Sequence, residues 1–290
     1  MLNIDDINER LANNPEPKFV RDVRKNIINT FSKLEFIEEG HKYYVNNDDG
    51  SKTELPSVSH VCHMFQEPVD WDEIALNKAK RMGIDVKDLK RGWKENNIRS
   101  TSNGTKTHLF AEAYMYFFRG KPELMPDVIK ETQYQDGYLI PYGKKEEAVV
   151  KFYEDIYKIK NIYPVMAEAQ IYTGINDKLK LSTNYSGTFD MLFAYKLKNK
   201  WKLGIFDWKT NASLENNYNQ TFQQTLLPPF NYLIDESKSI YTIQLSAYQL
   251  GISQLGYEIA DRKIIWLKED GTYEKISVVD VSNDLKSALT

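Results

Sequence analysis

The sequence predicts a mixed α/β (α+β) protein, with a central mixed β-sheet flanked by helices and a helical N-terminal region. Apolar residues recur at helical spacing through residues 1–160, and strand-like apolar runs begin at residue 165. A helical segment separates the third of these runs from the last two. A chain of 290 residues with 41% hydrophobic residues can bury one large core. The order of the later elements therefore indicates a β-β-β-α-β core with helices packed onto it.

The first 40 residues are predicted to form a helical extension to a main domain that spans residues 41–290. One or two short helices are expected within residues 1–38, separated at Pro15 and Pro17. A β-hairpin is expected across residues 41–55, because a turn-forming run at residues 46–50 separates two short strands. Ser57 or its neighbours can cap a helix that runs to Phe65.

Helices dominate the part of the main domain from about residue 56 to residue 160. Residues 71–98 are predicted to be helical, with an end near Gly92 to Asn97. A second helix is predicted from Thr105 to about Arg119, opened by the Ser-Asn-Gly run at residues 102–104. An amphipathic helix is expected over residues 144–160.

The catalytic core is predicted within residues 161–280. Its strands are expected at residues 165–173, 187–195 and 202–209, then 263–267 and 273–279, with a helix at 239–255 before the last two. The intervening loop, residues 211–232, is long for a compact core, and such loops are often functional. It is predicted to form a flap on the substrate side that carries four aromatic residues, Tyr218, Phe222, Phe230 and Tyr232.

Charged residues interrupt three of the predicted strands. Glu168 lies on the first, Asp190 on the second, and Asp207 and Lys209 on the third. Because side chains alternate along a strand, Asp207 and Lys209 share one face and Trp208 takes the other. Such groups are costly to bury unless they have a purpose. If the three strands are neighbours, the carboxylates meet at one edge of the sheet, where Mg²⁺ or Mn²⁺ would relieve their repulsion.

Each of these residues also has a purely structural interpretation. Asp190 can be a residue of a turn at a strand end, Glu168 can be solvated, and Asp207 with Lys209 can be an exposed ion pair that contributes little stability. The apolar Gly-Ile-Phe run at residues 204–206 favours a buried strand, and hence a site. Cationic residues around Trp93, before the second helix, suit a surface that guides a nucleic-acid strand, but they also suit a solvated helix face.

Composition narrows the class of protein. A net charge of −3 and a pI near 5.9 argue against a coat-like nucleic-acid binder, yet they allow a local basic groove. One cysteine, Cys62, excludes intrachain disulfides and any cysteine-based zinc or iron–sulfur site. The N-terminus lacks the pattern of a signal peptide, and no apolar run reaches transmembrane length. We therefore expect a soluble, cytoplasmic protein that has no membrane partner.

The order of these residues resembles the PD-(D/E)xK nuclease superfamily, and more closely its RecB-like exonuclease branch with its stand-alone phage and mitochondrial members. The resemblance covers about residues 41–280 and includes a Gln-x-x-x-Tyr helix after the last charged strand. Five features carry it in this order: Gly104-Thr105-Lys106-Thr107-His108, Glu168, Asp190, Asp207-Trp208-Lys209-Thr210, and Gln244 with Tyr248.

The resemblance implies a restriction-endonuclease-like core and a Mg²⁺- or Mn²⁺-dependent deoxyribonuclease without an iron–sulfur cluster. Lys209 would act on the nucleophile, with Asp190, Asp207 and Glu168 as its catalytic companions. The remaining roles that it implies are metal ligation by His108, Asp190, Asp207 and the backbone carbonyl of Trp208, and substrate binding or support by Gln244, Tyr248, Thr210 and Lys106.

Exonuclease action on linear DNA ends is the expected activity, in phage or bacterial DNA recombination, replication or processing. If a phage encodes the chain, its location is the host cytoplasm. A homo-oligomer, or a partner protein from recombination or replication, is compatible with the resemblance. Three other functions stay open: a structure-selective or nicking endonuclease, a DNA-binding subunit with a vestigial site, and a non-nuclease metal hydrolase. The last is disfavoured because one histidine alone is well placed.

Overall fold

A computed structural model describes residues 1–290 and confirms the mixed α/β class. The helices are α1 (Ile4–Asn13), α2 (Lys18–Thr30), α3 (Val58–His63), α4 (Trp71–Met82), α5 (Val86–Phe118), α6 (Asp127–Gln133), α7 (Lys144–Tyr157), α8 (Asn217–Thr221), α9 (Ser237–Ser253) and α10 (Ser282–Leu289). The strands are β1 (Leu34–Ile37), β2 (Lys42–Asn46), β3 (Lys52–Leu55), β4 (Tyr134–Gln135), β5 (Tyr138–Leu139), β6 (Ile162–Tyr172), β7 (Ser186–Leu197), β8 (Lys200–Lys209), β9 (Ile259–Leu267) and β10 (Tyr273–Ser277). None of the helices combines the length and the apolar content that crossing a bilayer requires.

Five strands form the central sheet in the order β10-β9-β8-β7-β6. β6, β7 and β8 are antiparallel neighbours, whereas β8 and β9 run parallel. Parallel neighbours need a crossover connection, and α9 provides it. The predicted β-β-β-α-β order is therefore confirmed, and the three strands that carry charged residues lie side by side.

Each face of the central sheet has its own apolar core. The first core joins one face to α2, α3, α9 and α10, and the second joins the other face to α1, α5, α6 and α7. Neighbours on β7 alternate between them, since Leu192 lies in the first core and Met191 in the second. The N-terminal segment contributes to both, through Val20 of α2 and Ile7 of α1.

A strand replaces the end of the predicted N-terminal helical region. Residues 34–37 form β1 and pair with β2, so that Leu34 lies opposite Val45 and Phe36 opposite Tyr43. The rings of Phe36 and Tyr43 lie 4.8 Å apart. The alternating Leu-Glu-Phe-Ile run suits a half-buried strand, and pairing with the predicted hairpin decides the outcome. The hairpin and the Ser57 cap of α3 are confirmed, the latter by a 3.0 Å bond from the His60 N–H to Ser57.

The two predicted helices of residues 71–119 divide at a different place. The break lies at Gly83, which adopts a φ of 67°, and α5 then continues for 33 residues through both Gly92 and Gly104. The predicted turn at Gly104-Thr105 is therefore wrong, and the Thr105 hydroxyl bonds to the carbonyl of Thr101 within the helix at 3.0 Å. A glycine inside a helix costs only about 1 kcal/mol relative to alanine. Burial of the second half of α5 outweighs that cost.

The connection from β8 to α9 contains the short helix α8. Its four aromatic residues differ in their exposure to solvent. Tyr218, Phe222 and Tyr232 are each more than half exposed, as a flap would require. Phe230 is fully buried against Phe65, with a ring separation of 4.7 Å, so its predicted place in a flap is wrong. The helix α10, which follows β10, has no counterpart in the sequence prediction.

Two glycine substitutions test the packing of this fold. Both Gly251 of α9 and Gly92 of α5 are helical, so each gains about 1 kcal/mol of helix propensity when changed to alanine. A Cβ at position 251 would overlap the side chain of Ile171, whereas nothing lies within 4 Å of one at position 92. Overpacking costs about 1–3 kcal/mol. We expect urea unfolding to show that Gly251→Ala destabilises the protein and Gly92→Ala stabilises it. Equal effects would contradict this packing.

Candidate active site

Strands β7 and β8 separate where their acidic residues begin. The last paired residues are Met191 and Phe206, and Asp190 and Asp207 follow directly. Beyond that point the Trp208 N–H donates to Oδ2 of Asp190 at 2.6 Å, which replaces a bond between the strands. β8 stays paired with β9 on its other side as far as the end of the strand. β7 and β8 are therefore unpaired beyond Met191 and Phe206, and we call this gap the seam. Asp190 lies on one side of the seam and Asp207 on the other.

Glu168 on β6 is directed toward the same opening by an unusual backbone. Its φ of 45° lies in the left-handed region, which costs a non-glycine residue about 1–3 kcal/mol. Regular alternation would place Ala167 and Ala169 on one face, yet they belong to the second and first cores respectively. The residues that flank Asp190 on β7 differ in the same way. In both β6 and β7, the residues on the two sides of this point therefore belong to opposite cores. Glu168 and Asp190 lie at the point of change, and neither belongs to a core.

His108 on α5 completes a cluster with these two carboxylates. One ligand atom from each of His108, Glu168 and Asp190 lies within 4.8 Å of the others. The imidazole Nδ1 of His108 is 3.5 Å from Oδ1 of Asp190. The His108 side chain is 30% exposed and that of Asp190 is 9% exposed, so the cluster lies at the bottom of an accessible depression.

The charges within the cluster shift one another's pKa values. Burial and the charge of Asp190 raise the pKa of Glu168 well above its usual range. Burial raises the pKa of Asp190 as well, but His108 and then Lys209 outweigh burial and lower it. Burial lowers the pKa of His108, yet Asp190 outweighs this and raises it. Asp190 is thus stabilised as an anion, whereas Glu168 needs a further cation before it ionises easily.

Asp207 and Lys209 form a buried ion pair beside the cluster. Asp207 is 1% exposed, and the Lys209 ammonium also lies 4.2 Å from the centre of the Tyr241 ring. Burial and Asp190 raise the pKa of Asp207 to about 6, more than Lys209 lowers it. Burial lowers the pKa of Lys209, but Asp207 and Asp190 outweigh burial and raise it. Lys209 is therefore a protonated cation at neutral pH.

Asp207 is placed differently from the other proposed metal ligands. It is not in the three-residue group, because its Oδ2 contacts the Lys209 ammonium. That oxygen nevertheless receives no hydrogen bond of acceptable geometry, although it is buried. Glu168, expected to support catalysis, lies in the three-residue group with His108 and Asp190 instead.

The Gln-x-x-x-Tyr pair of α9 lies at the same depression. The side-chain amide of Gln244 donates to the Tyr248 hydroxyl at 3.1 Å, as residues four apart on one helix face can. Tyr248 packs edge-on against Phe189, with ring centres 6.2 Å apart. The Gln244 carbonyl oxygen is buried without a partner. It is available to accept a hydrogen bond from a bound ligand.

Gly187 shows why the sequence approaches Asp190 through a glycine. A Cβ there would lie 2.9 Å from Val58 and 3.0 Å from the ring of Tyr248. Its neighbour Thr188 bonds to the Tyr43 hydroxyl of β2 at 3.2 Å. The Gly-Thr pair thus lets α3, α9 and the small sheet close over the depression.

Trp208 and Thr210 have mainly structural contacts. The Trp208 ring lies in the second core, 5.0 Å from the ring of Phe152. The backbone N–H of Trp208, and not its carbonyl, is the group that bonds to Asp190. The Thr210 carbonyl accepts a 2.7 Å bond from Lys145, and its hydroxyl faces Gly104 of α5.

Lys106 lies outside the cluster. It is exposed and lines another depression, together with Lys144 and Lys145. Because Lys106 and His108 are two apart on a helix, they cannot share one face. The role of Lys106 in substrate binding or support was implied by the sequence resemblance, and the structure places its side chain in this other depression.

Glu112 is a residue that the sequence analysis did not consider. It follows His108 by one helical turn and lines the same depression as Glu168. Burial raises the pKa of Glu112, and its charge in turn helps to raise that of Glu168. The His-x-x-x-Glu spacing falls within the helix predicted from Thr105, but only the structure shows that Glu112 and Glu168 line one depression.

Comparisons with known proteins find no matching family model and no matching curated protein. Any functional assignment therefore depends on the side chains and distances of the site itself, together with the sequence resemblance.

Two cavities meet at the site and form one groove. A cavity of about 450 Å³ contains the side chains of His108 and Glu168. A second, of about 1000 Å³, contains Lys209. Gln244 and Ser59 line both cavities and so mark the boundary between them. A long, flexible substrate can therefore contact the cluster from one side and Lys209 from the other.

The donor set fits a hard divalent cation. Carboxylate oxygens are preferred ligands of Mg²⁺ and Mn²⁺, and an imidazole nitrogen is compatible with Mn²⁺. The raised pKa of Glu168 and the unpartnered Gln244 oxygen are both features that a bound cation and its water would satisfy. Sulfur ligation does not fit, since burial raises the pKa of the Cys62 thiol to about 12.

Removal of Lys209 is expected to destabilise the fold, because Asp207 would remain as an unpaired buried charge. Breaking such a pair costs about 3–5 kcal/mol. The pKa of Asp207 is about 6 with Lys209 present, and removal of Lys209 raises it further. We therefore expect Lys209→Met to lose little stability below pH 6, where the carboxyl group is neutral in both proteins, and to lose progressively more, up to about 3–5 kcal/mol, as the pH rises above 6. Chemical denaturation of both proteins, at one pH above and one pH below the Asp207 pKa, measures the difference in unfolding free energy.

Two variants control this measurement. Lys202→Met removes an ion pair on the same strand whose partner, Glu258, is 71% exposed, so its effect should stay below about 1 kcal/mol. Asp207→Asn combined with Lys209→Met should recover most of the lost stability, because residue 207 no longer carries an unpaired buried charge. A loss that is equal for Lys202→Met and Lys209→Met would show that the buried pair has no special role.

Proposed function

We propose that this chain is a metal-dependent DNA nuclease of the PD-(D/E)xK superfamily, in its RecB-like branch, and that it acts as an exonuclease on DNA ends. The observation that carries this proposal is the convergence of His108, Glu168 and Asp190 within 4.8 Å, beside the buried pair of Asp207 and Lys209. Buried ion pairs contribute little net stability. A set of this cost is better explained by catalysis than by folding.

His108, Glu168 and Asp190 would hold Mg²⁺ or Mn²⁺, and Asp207 lies next to them. When bound, the cation supplies Lewis-acid stabilisation of charge on phosphate oxygens and makes a water molecule more acidic. Gln244 would orient a ligand or water through its free carbonyl oxygen. The Trp208 N–H holds the Asp190 carboxylate in a fixed direction.

Lys209 would stabilise negative charge rather than accept a proton. Asp207 and Asp190 raise its pKa, so the ammonium is retained at neutral pH. Asp207 and the Tyr241 ring fix its position at the boundary of the groove. A preorganised cation in a buried site stabilises the charge that develops on a phosphate in the transition state.

A nucleic-acid strand suits the groove better than a small substrate does. The larger cavity is lined by Trp71 and Tyr218, which are 64% and 61% exposed, and exposed aromatic rings can stack on bases. The first half of α5 adds exposed cations, among them Lys87 and Lys94. The preference for DNA ends, a restriction-endonuclease-like core and a role in phage or bacterial recombination, replication or processing come from the sequence resemblance. Cytoplasmic location, self-association and a partner protein stay predictions on the same basis.

Divalent cations are expected to stabilise the protein through the cluster. A ligand at about one hundred times its Kd adds about 2.7 kcal/mol. Thermal unfolding in Mn²⁺ or Mg²⁺ against EDTA should therefore show a saturable increase in Tm. Glu168→Gln and Asp190→Asn should lose this increase, and Glu168→Gln should not weaken the protein in EDTA, because it removes carboxylate repulsion. Glu131→Gln, an exposed change on α6, should keep the increase. An increase that persists in both site variants would place the cation elsewhere.

Hydrolysis is tested by incubating linear, nicked and closed circular DNA with the protein in Mg²⁺, Mn²⁺ or EDTA. We expect metal-dependent loss of linear DNA, and a fall of about 10²–10⁴-fold in Asp190→Asn and Lys209→Ala. Lys202→Ala, on the same strand as Lys209, should keep normal activity. Circular dichroism shows whether each variant is folded.

The same digestion distinguishes the alternatives. Cleavage of closed circular DNA would indicate an endonuclease instead of an exonuclease. Activity that survives in folded Asp190→Asn and Lys209→Ala would show that the site is wrongly assigned. Absence of hydrolysis with either metal, on DNA and on RNA, would favour a DNA-binding subunit with a vestigial site.

A further inference from the structure

An arginine-rich cavity lies away from the candidate active site. It is enclosed by α1, α2, the end of α5 and the start of β6, and its volume is about 280 Å³. At about 30 Å³ per water molecule, it has room for roughly nine waters. Its charged lining consists of four cations and one carboxylate, namely Arg10, Arg24, Arg119, Lys121 and Glu16. The excess of positive charge in a space of this size suits a small anion.

Two of the arginines have structural partners. An Arg10 N–H donates to the carbonyl of Ile162 at 3.0 Å. Arg24 donates to the carbonyl of Val165 and pairs with Glu16. These bonds attach α1 and α2 to the outer edge of β6, where backbone carbonyls have no neighbouring strand. They account for two guanidinium groups and for the one carboxylate.

Arg119 has no hydrogen-bonded partner of this kind. Its guanidinium lies over the ring of Tyr116, 5.9 Å from the ring centre, but it makes no hydrogen bond and no ion pair, and its Nε is buried without a partner. An arginine at the end of α5 interacts favourably with the helix dipole, but this does not require burial. Burial lowers the pKa of Arg119 and the charge of Arg24 lowers it further, while Glu16 and Tyr116 offset part of this. Glu16 pairs with Arg24 but forms no ion pair with Arg119, so a buried donor of Arg119 stays without an acceptor.

We propose that this cavity binds a phosphate group, with the planar guanidinium of Arg119 donating paired N–H bonds to its oxygens. Arginine suits such bidentate contacts better than lysine does. Arg10 uses only one of its five N–H donors in the protein, so further donors remain. Lys121, 54% exposed and 3.7 Å from the carboxylate of Glu123, adds a further positive charge at the mouth.

The phosphate is best supplied by the nucleic-acid strand that the active site engages, and this part of the inference rests on the proposed function. His108, Glu112, Tyr116 and Arg119 follow at spacings of four, four and three, so they form one stripe along α5. Eleven residues of helix span about 16 Å, which is roughly five nucleotide steps at 3.4 Å each. The pKa of the Tyr116 hydroxyl is affected by charges from both regions. Glu112 and Glu168 of the active site raise it, and Arg119 and Arg24 of the cavity lower it, so the two regions adjoin.

Binding is tested in EDTA, where no metal-dependent hydrolysis occurs and the result does not depend on nuclease activity. In a first arm, thermal unfolding is followed with increasing inorganic phosphate. Phosphate also raises Tm non-specifically through exclusion from the surface. The expected result is therefore a saturable increase in the unmodified protein and in Arg81→Gln, an exposed change on α4, that is absent in Arg119→Gln.

In a second arm, fluorescence anisotropy measures binding of a labelled single-stranded oligonucleotide, also in EDTA. Arg119→Gln should raise the Kd by about tenfold, and should reduce the slope of log Kd against log salt by about one. Arg81→Gln should change neither quantity. If Arg119→Gln does not fold, Arg119→Lys keeps the charge at the helix end, and Lys121→Gln removes a charge at the exposed mouth.

A phosphate effect without an oligonucleotide effect would support the site but assign it to a free phosphate compound. Equal behaviour of Arg119→Gln and Arg81→Gln in both arms would overturn the proposal. Failure of the proposed nuclease function would instead appear as absent hydrolysis with metal present, whatever these two arms show.

Discussion

The seam between β7 and β8 is the constraint on which the site depends. Two strands that pair through apolar residues separate at Asp190 and Asp207, and a side chain replaces the backbone partner of Trp208. Charges of this kind are costly to bury. The two apolar cores on either face of the sheet hold the strands in place on both sides of the opening. The separation is therefore maintained by packing elsewhere, and the carboxylates remain close although they repel one another.

The fold could be predicted best where one local pattern and tertiary packing agree. Apolar runs along β6, β7 and β8, with a helix before β9, were enough to predict these strands and their order, whereas that β6, β7 and β8 are neighbours was only a condition of the site prediction. The local pattern was not enough for residues 34–37, because four residues take their conformation from pairing with β2. Nor could it predict the continuity of α5, since Gly92 and Gly104 disfavour a helix locally. The burial that overrides them comes from residues distant in sequence.

The site shows the same division. The shared face of Asp207 and Lys209 follows from strand alternation alone, and so could be predicted. The grouping of Glu168, and not Asp207, with His108 and Asp190 could not, because it depends on the positive φ of Glu168 and on contact of Asp207 with the lysine. Glutamate has no preference for the left-handed backbone, so the residue at position 168 does not indicate it. Lys106, His108 and Glu112 all lie in the helix predicted from Thr105, but which of them line the site depends on how α5 packs against β6 and β7, and the sequence does not show that.

The continuity of α5 gives Gly104 a different purpose from that of a turn. The position of His108 is set by the buried second half of the helix, beginning at Thr107, rather than by the residues before it. A Cβ at Gly104 would lie 3.4 Å from the Thr210 hydroxyl, so the glycine allows the helix to pass close to the end of β8. One rigid helix then holds His108 and Arg119 at a constant separation. If a nucleic-acid strand contacts both residues, its register relative to the proposed metal ligands is determined by the helix and not by a loop.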